Sequence, residues 1–376
     1  MIRMPAKCSP LVLSALLLGA LSLALPRLAC ADSPNAPAPA TLEQQITVLE
    51  GALSEGLVAQ DWKMIEIAVK GFASSGLKDK DLELVLLRAE RNAALDGMRK
   101  MGGLNPAQIE TLGLAVRAKL GDSASHTQLH AWGFDEIPEV AMPDPSLWQK
   151  QPAEADKQLK LAQAYQQDLT RREYALLALA LLKEPGVLDR SIAVLQSSSK
   201  DSAGVIHMGT IGDTLVVAAL TADADAGLKK LLAICSDEKE SVPAQVKVLQ
   251  SLVQLRALAE SKTMGPDATY SSRGDVATAL PKGLLSELLK PYAAIIQRWK
   301  PDEKQKFDMS LNNLINLTYS FPKGTLDKDT LAAIQATKDR IPEQQNWMKQ
   351  QVDQVLRTNG VDPNAAQKPP APPKDF

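Results

Sequence analysis

His126 and His130 stand four residues apart, the spacing that sets two imidazoles on one face of a helix, where they could hold a zinc ion. Asp135, Glu136 or Glu139 could add a third ligand. No cysteine and no third histidine lies nearby, and the surrounding segment carries no clear helical pattern. The plainer reading is a pair of solvent-facing imidazoles in a wrapping loop, and no cofactor is expected.

Other residue types suggest chemistry that their surroundings do not support. Ser197-Ser198-Ser199-Lys200 and Ser236-Asp237-Glu238-Lys239 each satisfy Ser-x-x-Lys, a pairing that acylates only when the lysine is desolvated beside the serine. Both lie in polar stretches after apolar helices, and no Lys-Thr-Gly accompanies them. Cys235 ends the apolar run Leu231-Leu232-Ala233-Ile234 and reads as a small buried hydrophobe rather than a nucleophile. Arg273-Gly274-Asp275 reads as turn chemistry, and Asn316-Leu317-Thr318 as a fortuitous glycosylation sequon inside an apolar helix. Gly204, Gly209 and Gly212 lack the order of a phosphate-binding loop. A glycosidase would need two facing acids and aromatic platforms, and aromatics make up only 4% of the chain.

Recognition is a better use of the aromatics that are present. Trp132, Phe134 and Trp148 fall within residues 122–152, a segment with four prolines where the helical pattern lapses. A connection this long is not needed to join stacked hairpins. Tryptophan is a frequent binding anchor because it offers a large contact area with few rotamers to freeze. The competing reading is that these rings pin the segment across the helices beneath it.

Elements that could position such a site follow from composition and periodicity. Arg3 and Lys7 precede an apolar run from Leu11 to Leu25, and Ala29-Cys30-Ala31 offers a cleavage site, the pattern of a secretory signal peptide over residues 1–31. Arg27 disfavours lipidation of Cys30. Removing that segment takes away three cations and no acid, leaving 39 cations against 44 acids, a net charge of −5. An acidic exported chain has no global electrostatic reason to bind nucleic acid. Cys235 is then the remaining cysteine, so no internal disulfide forms and stability rests on apolar burial. The expected location is periplasmic or extracellular, with no transmembrane helix in the mature chain.

Residues 32–40 read as a Pro- and Ala-rich linker and residues 41–121 as two helical hairpins, the last helix stopped by Gly121. Residues 153–360 read as helical repeats, with a break near Thr170 and with Pro291 splitting one stretch into two helices or kinking one. Asn359-Gly360 ends the last helix, and residues 361–376 form a Pro-rich tail expected to be disordered. No stretch alternates as a strand does. The clearest internal repeat is a gapless shift of forty residues, which lays Leu176-Leu177-Ala178 on Val216-Val217-Ala218 and Leu188, Ile192, Ala193 and Val194 on Leu228, Leu232, Ala233 and Ile234.

Glu184-Pro185-Gly186-Val187, followed by Arg190, Ala193 and Leu195, resembles the turn and second helix of a HEAT repeat. The run from Lys183 to Arg190 also looks like part of the helical C-terminal domain of M1 aminopeptidases, whose His-Glu-x-x-His signature this chain lacks. Each resemblance covers about sixty residues, roughly 173–235. The HEAT resemblance implies an all-α, irregular helical-hairpin solenoid with a surface for protein or ligand binding. The expectation is an exported binding or scaffold module for another macromolecule, a protein partner rather than a small molecule. The alternatives are a hydrolase or lyase with carboxylates on helical loops, and a purely structural envelope protein.

Overall fold

The computed structural model describes residues 42–59, 62–75, 79–99, 106–138, 140, 146–198, 211–260, 272–300, 309–321 and 324–363. Residues 1–31, read as a leader, residues 32–40, read as a linker, most of the Pro-rich tail and part of the first Ser-x-x-Lys pairing fall outside these residues. The described residues are all-helical, with no strand among them. In chain order the helices are α1 (Leu42–Ala59), α2 (Trp62–Ser75), α3 (Asp79–Arg99), α4 (Pro106–Lys119), α5 (Ser123–Phe134), α6 (Leu147–Lys150), α7 (Pro152–Leu181) and α8 (Val187–Ser198). They continue as α9 (Ile211–Ala222), α10 (Ala224–Ser236), α11 (Val242–Glu260), α12 (Ser272–Ala279), α13 (Leu284–Arg298), α14 (Met309–Leu317), α15 (Lys328–Ala336) and α16 (Asn346–Thr358). No helix among the described residues is long and apolar enough to cross a membrane.

Two compact units divide the described residues. The first takes those up to Val140 with those in Lys160–Glu184 and Thr263–Asp275; the second takes those in Ala141–Leu159, Pro185–Lys262 and Val276–Phe376.

In the first unit α1 packs on α2, α3 and α4, and α4 packs on α5. The core comes from Leu49, Leu53 and Leu57 of α1, Ile65 and Phe72 of α2, Val85 and Ala89 of α3, and Ile109 and Val116 of α4. The junction between α4 and α5 is a three-residue turn. Gly121 adopts a left-handed φ of 100° that costs a glycine little, and the amides of Gly121 and Asp122 turn back onto the carbonyls of Ala118 and Arg117. Asp122 then caps α5, its carboxylate accepting from the backbone N–H groups of Ala124 and Ser125.

Residues 123–134 are therefore helical, where the sequence pattern reads as irregular. The buried face of α5 is Ser125, Leu129 and Gly133, so a single leucine carries the period. Gly133 allows close packing there: a Cβ would sit 3.1 Å from Leu179 Cδ1 and 3.3 Å from Leu176 Cδ2 of α7, so those side chains would have to give. Helix α7 runs unbroken through Thr170, whose hydroxyl donates to the Gln166 carbonyl within the same helix at 2.9 Å.

Helix α11 is the centre of the second unit, packing on α8, α9, α10, α13 and α14. Ala244, Gln245, Val246, Val248, Leu249, Leu252, Val253 and Leu255 are all buried, so most of its circumference is covered and only a stripe through Pro243 and Gln254 is exposed. Helix α9 joins α10 through the single residue Asp223, which also caps α10 by accepting from the N–H of Ala226. So short a turn forces close approach: a Cβ on Gly227 would lie 2.7 Å from the backbone oxygen of Ala219. Pro291 is accommodated inside one continuous helix, α13.

Burial follows the forty-residue shift position by position. Residues 175–180 and 215–220 are all buried, Leu177 and Val217 included. Val187, Ser191, Val194 and Leu195 are buried in α8, and their counterparts Gly227, Leu231, Ile234 and Cys235 are buried in α10.

Among the described residues of the second unit, three guanidinium groups satisfy carbonyls that helix ends leave without amide partners. Arg340 donates to the carbonyls of Ile296, Gln297 and Trp299 at the end of α13, and its guanidinium lies 6.0 Å from the Trp299 ring centroid. Arg256 donates to the Leu280 carbonyl after α12. Arg298 donates to the Glu238 carbonyl after α10 at 2.8 Å and to Gln245 Oε1 at 2.7 Å. Gln245, itself fully buried, turns its amide nitrogen onto the carbonyls of Ile234, Cys235 and Asp237.

Candidate functional site

Helix periodicity sorts the candidate residues of α5. With Ser125, Leu129 and Gly133 facing inward, His126, His130 and Phe134 follow one another at four-residue steps along one flank, and Trp132 lies on the other. The structure thus separates Trp132 from Phe134. Trp148 sits on α6, in the second unit, and is 42% exposed.

On the histidine flank, His126 Nε2 lies 3.0 Å from Glu184 Oε2 and shares a hydrogen bond with it. Glu184 holds that place because Lys183 takes a left-handed φ of 64° after α7, and the Glu184 amide donates back to the Leu179 carbonyl at 2.9 Å. His130 stacks on Phe134, ring centroids 4.5 Å apart and planes 8° from parallel. Among the described residues no group of three His, Cys, Asp or Glu is placed to hold a metal ion, so the structure gives His126 and His130 no third ligand there. Glu139 lies outside the described residues.

On the opposite flank the half-buried Trp132 ring lies beneath the Arg171 guanidinium, 5.5 Å from Cζ to the ring centroid. Arg171 is held over the ring by two carboxylates, Glu110 of α4 at 3.3 Å and Asp168 of α7 at 3.1 Å. Beside it, Arg172 donates to the Asp135 carbonyl at the end of α5. A half-buried indole beneath a cation that two carboxylates hold in place has the features of a preorganised anchor. Sequence reasoning did not find Arg171, Glu110 or Asp168. Their signal is absent from the primary structure, because 39 residues separate Trp132 from Arg171.

The acids with displaced pKa values all have structural work. The Ser125 hydroxyl and the backbone N–H groups of Ala124 and Ser125 hold Asp122 below the usual carboxylate range. Asp327 is lowered in the same way, by the Thr330 hydroxyl and amide at the start of α15. Burial pushes Glu90 up, and Arg117, 2.9 Å away, offsets only part of that. Gly113 makes room for this ion pair, since a Cβ there would stand 2.2 Å from Glu90 Oε1.

The remaining chemical candidates are also occupied. Burial pushes the Cys235 thiol up to about 12, which leaves it protonated at neutral pH and without nucleophilic character. Asp237 binds the backbone N–H of Lys239, so the second Ser-x-x-Lys is a turn. Asp275 lies in the first turn of α12 rather than in a loop and pairs with Lys63 at 2.7 Å. Thr318 of the sequon is buried, its hydroxyl donating to the Ile315 carbonyl.

Comparison with protein-family models, with curated proteins and with solved structures returned no match for this chain.

Proposed function

We propose that the chain is an exported helical-repeat protein that binds another protein through the outer surface of α5 and performs no chemistry of its own. The observation that carries this reading is the Trp132 anchor: a half-buried indole locked by Arg171, itself held by Glu110 and Asp168. Such an arrangement gives a partner a large, rigid contact with little side-chain entropy left to lose. The repeat reading draws support from the burial pattern that recurs at forty residues. Export rests on the basic, apolar and small-residue order of residues 1–31.

Binding is favoured over catalysis because the displaced acids are engaged in structure, Asp122 and Asp327 as helix caps and Glu90 in an ion pair with Arg117. The test is capture from the envelope fraction of the source organism, using wild type and Trp132→Ala as baits. The reading expects a discrete protein retained by wild type and lost by the variant, with the unfolding midpoint nearly unchanged. Equal retention by both baits, or a large fall in the midpoint without selective loss of binding, would sink it.

A further inference from the structure

On the far side of α3 from its core residues, the helix turns a short apolar seam to solvent. Leu84 is 46% exposed and Leu87 52%, while Val85, Leu86, Ala89 and Ala93 of the same helix are buried. Lys80, Leu84, Leu87 and Arg91 are all exposed and follow a 4-3-4 spacing, the spacing of core positions in a coiled coil. Isolated exposed leucines need no explanation; a pair in that register, flanked by opposite charges, does.

Those flanking charges identify the occupant. Glu83 precedes the leucine pair on one side of the seam and Arg88 follows it on the other, five residues later, and both are exposed. In two like helices set side by side and running the same way about a two-fold axis, residues in these two places face each other across the contact. Glu83 of each copy then meets Arg88 of the other, twice by symmetry, around a core of four leucines. Arg88 has one long contact inside the unit, to Glu50 at 3.9 Å, and its side chain is 54% exposed, so it can turn outward.

We propose that α3 is a self-association surface, on which a second copy of this chain packs through Leu84 and Leu87 with reciprocal Glu83–Arg88 ion pairs. Lys80 and Arg91 end the apolar seam and meet their own copies there. These like charges keep the contact short, which makes it a weak, concentration-dependent dimer rather than an obligate one. The proposal is independent of α5 and of any partner bound there.

Sedimentation velocity on the purified chain over a concentration series tests it. Wild type should show a monomer–dimer equilibrium. Leu84→Asp and Leu87→Asp should each weaken dimerisation by about a hundredfold or more, because each change places two charges in the contact. Glu83→Arg and Arg88→Glu should each weaken it by about tenfold, and the doubly exchanged variant should recover the wild-type constant. Unchanged circular dichroism and unfolding midpoints would show that these exposed substitutions leave the fold intact. A wild-type chain that stays monomeric throughout overturns the proposal. So does a dimer that survives both leucine variants, or a double exchange that recovers nothing.

Discussion

Gln245→Ala should be among the most damaging polar substitutions in the second unit. The side chain is fully buried, and its two amide hydrogens are shared among three carbonyls: Ile234 at 3.1 Å, Cys235 at 3.2 Å and Asp237 at 2.8 Å. Its oxygen accepts from Arg298 at 2.7 Å. Truncation removes two donors from carbonyls that α10 cannot satisfy itself, at about 1–2 kcal/mol each once desolvation is counted, and it takes from Arg298 one charge-assisted bond of about 1.5 kcal/mol. The expected loss is about 3.5–5.5 kcal/mol, read by urea unfolding together with hydrogen exchange of α10 and α11 amides. Gln245→Glu separates the two halves of the argument. It keeps an acceptor for Arg298 but sets a carboxylate against carbonyl oxygens, so it should cost nearly as much as alanine. Arg298→Ala combined with Gln245→Ala should lose less than the two single losses added, because the groups share one network. A loss below about 1 kcal/mol for Gln245→Ala, strict additivity with Arg298→Ala, or a stable Gln245→Glu protein would refute the reasoning.

Gly227→Ala should destabilise by about 1–3 kcal/mol in chemical unfolding, because its methyl group would press on the Ala219 backbone at 2.7 Å. Gly113→Ala should do less harm, since the obstacle is the flexible Glu90 carboxylate; equal losses would contradict the contrast. Ser191→Ala should leave stability unchanged or raise it by up to about 1.5 kcal/mol, because the hydroxyl is fully buried without a partner among the described residues. Asp122 is depressed in the folded chain, so its capping contribution is present above the unfolded carboxyl pKa and is lost as pH falls through the lower folded value. Asp122→Asn keeps a capping oxygen but cannot titrate, so acid titration of stability should lose that component; an unaltered acid limb would contradict the assignment.

Much of the helix inventory was legible because its signals are local. Gly121 and Asn359-Gly360 mark ends that the backbone realises with φ values of 100° at Gly121 and 79° at Gly360, and Pro106 opens α4. Helix α5 was not legible, because Ser125 and Gly133 pack inward as small residues and leave Leu129 as the lone apolar marker. Thr170 reads as a breaker, yet its hydroxyl finds a carbonyl one turn back and the helix continues. At the candidate site the aromatics were visible as residue types, but their neighbours were not. Arg171 reaches Trp132, and Glu184 reaches His126, only after the chain returns, and no local pattern encodes a return. Gln245 is hidden for the same reason: in sequence it is one more polar residue on a helix, and only the arrival of Arg298, 53 residues later, explains its burial.

The central claim is that the Trp132 flank of α5 meets another protein. Gln128 is exposed and lies one turn before Trp132 on that flank, while Lys328 is exposed in the second unit. A photo-crosslinking amino acid placed at 128, and separately at 328, in the native host tests the claim directly. The account predicts one discrete adduct from position 128, lost on adding Trp132→Ala and absent from position 328. No adduct at 128, or the same adducts from both positions, would contradict it.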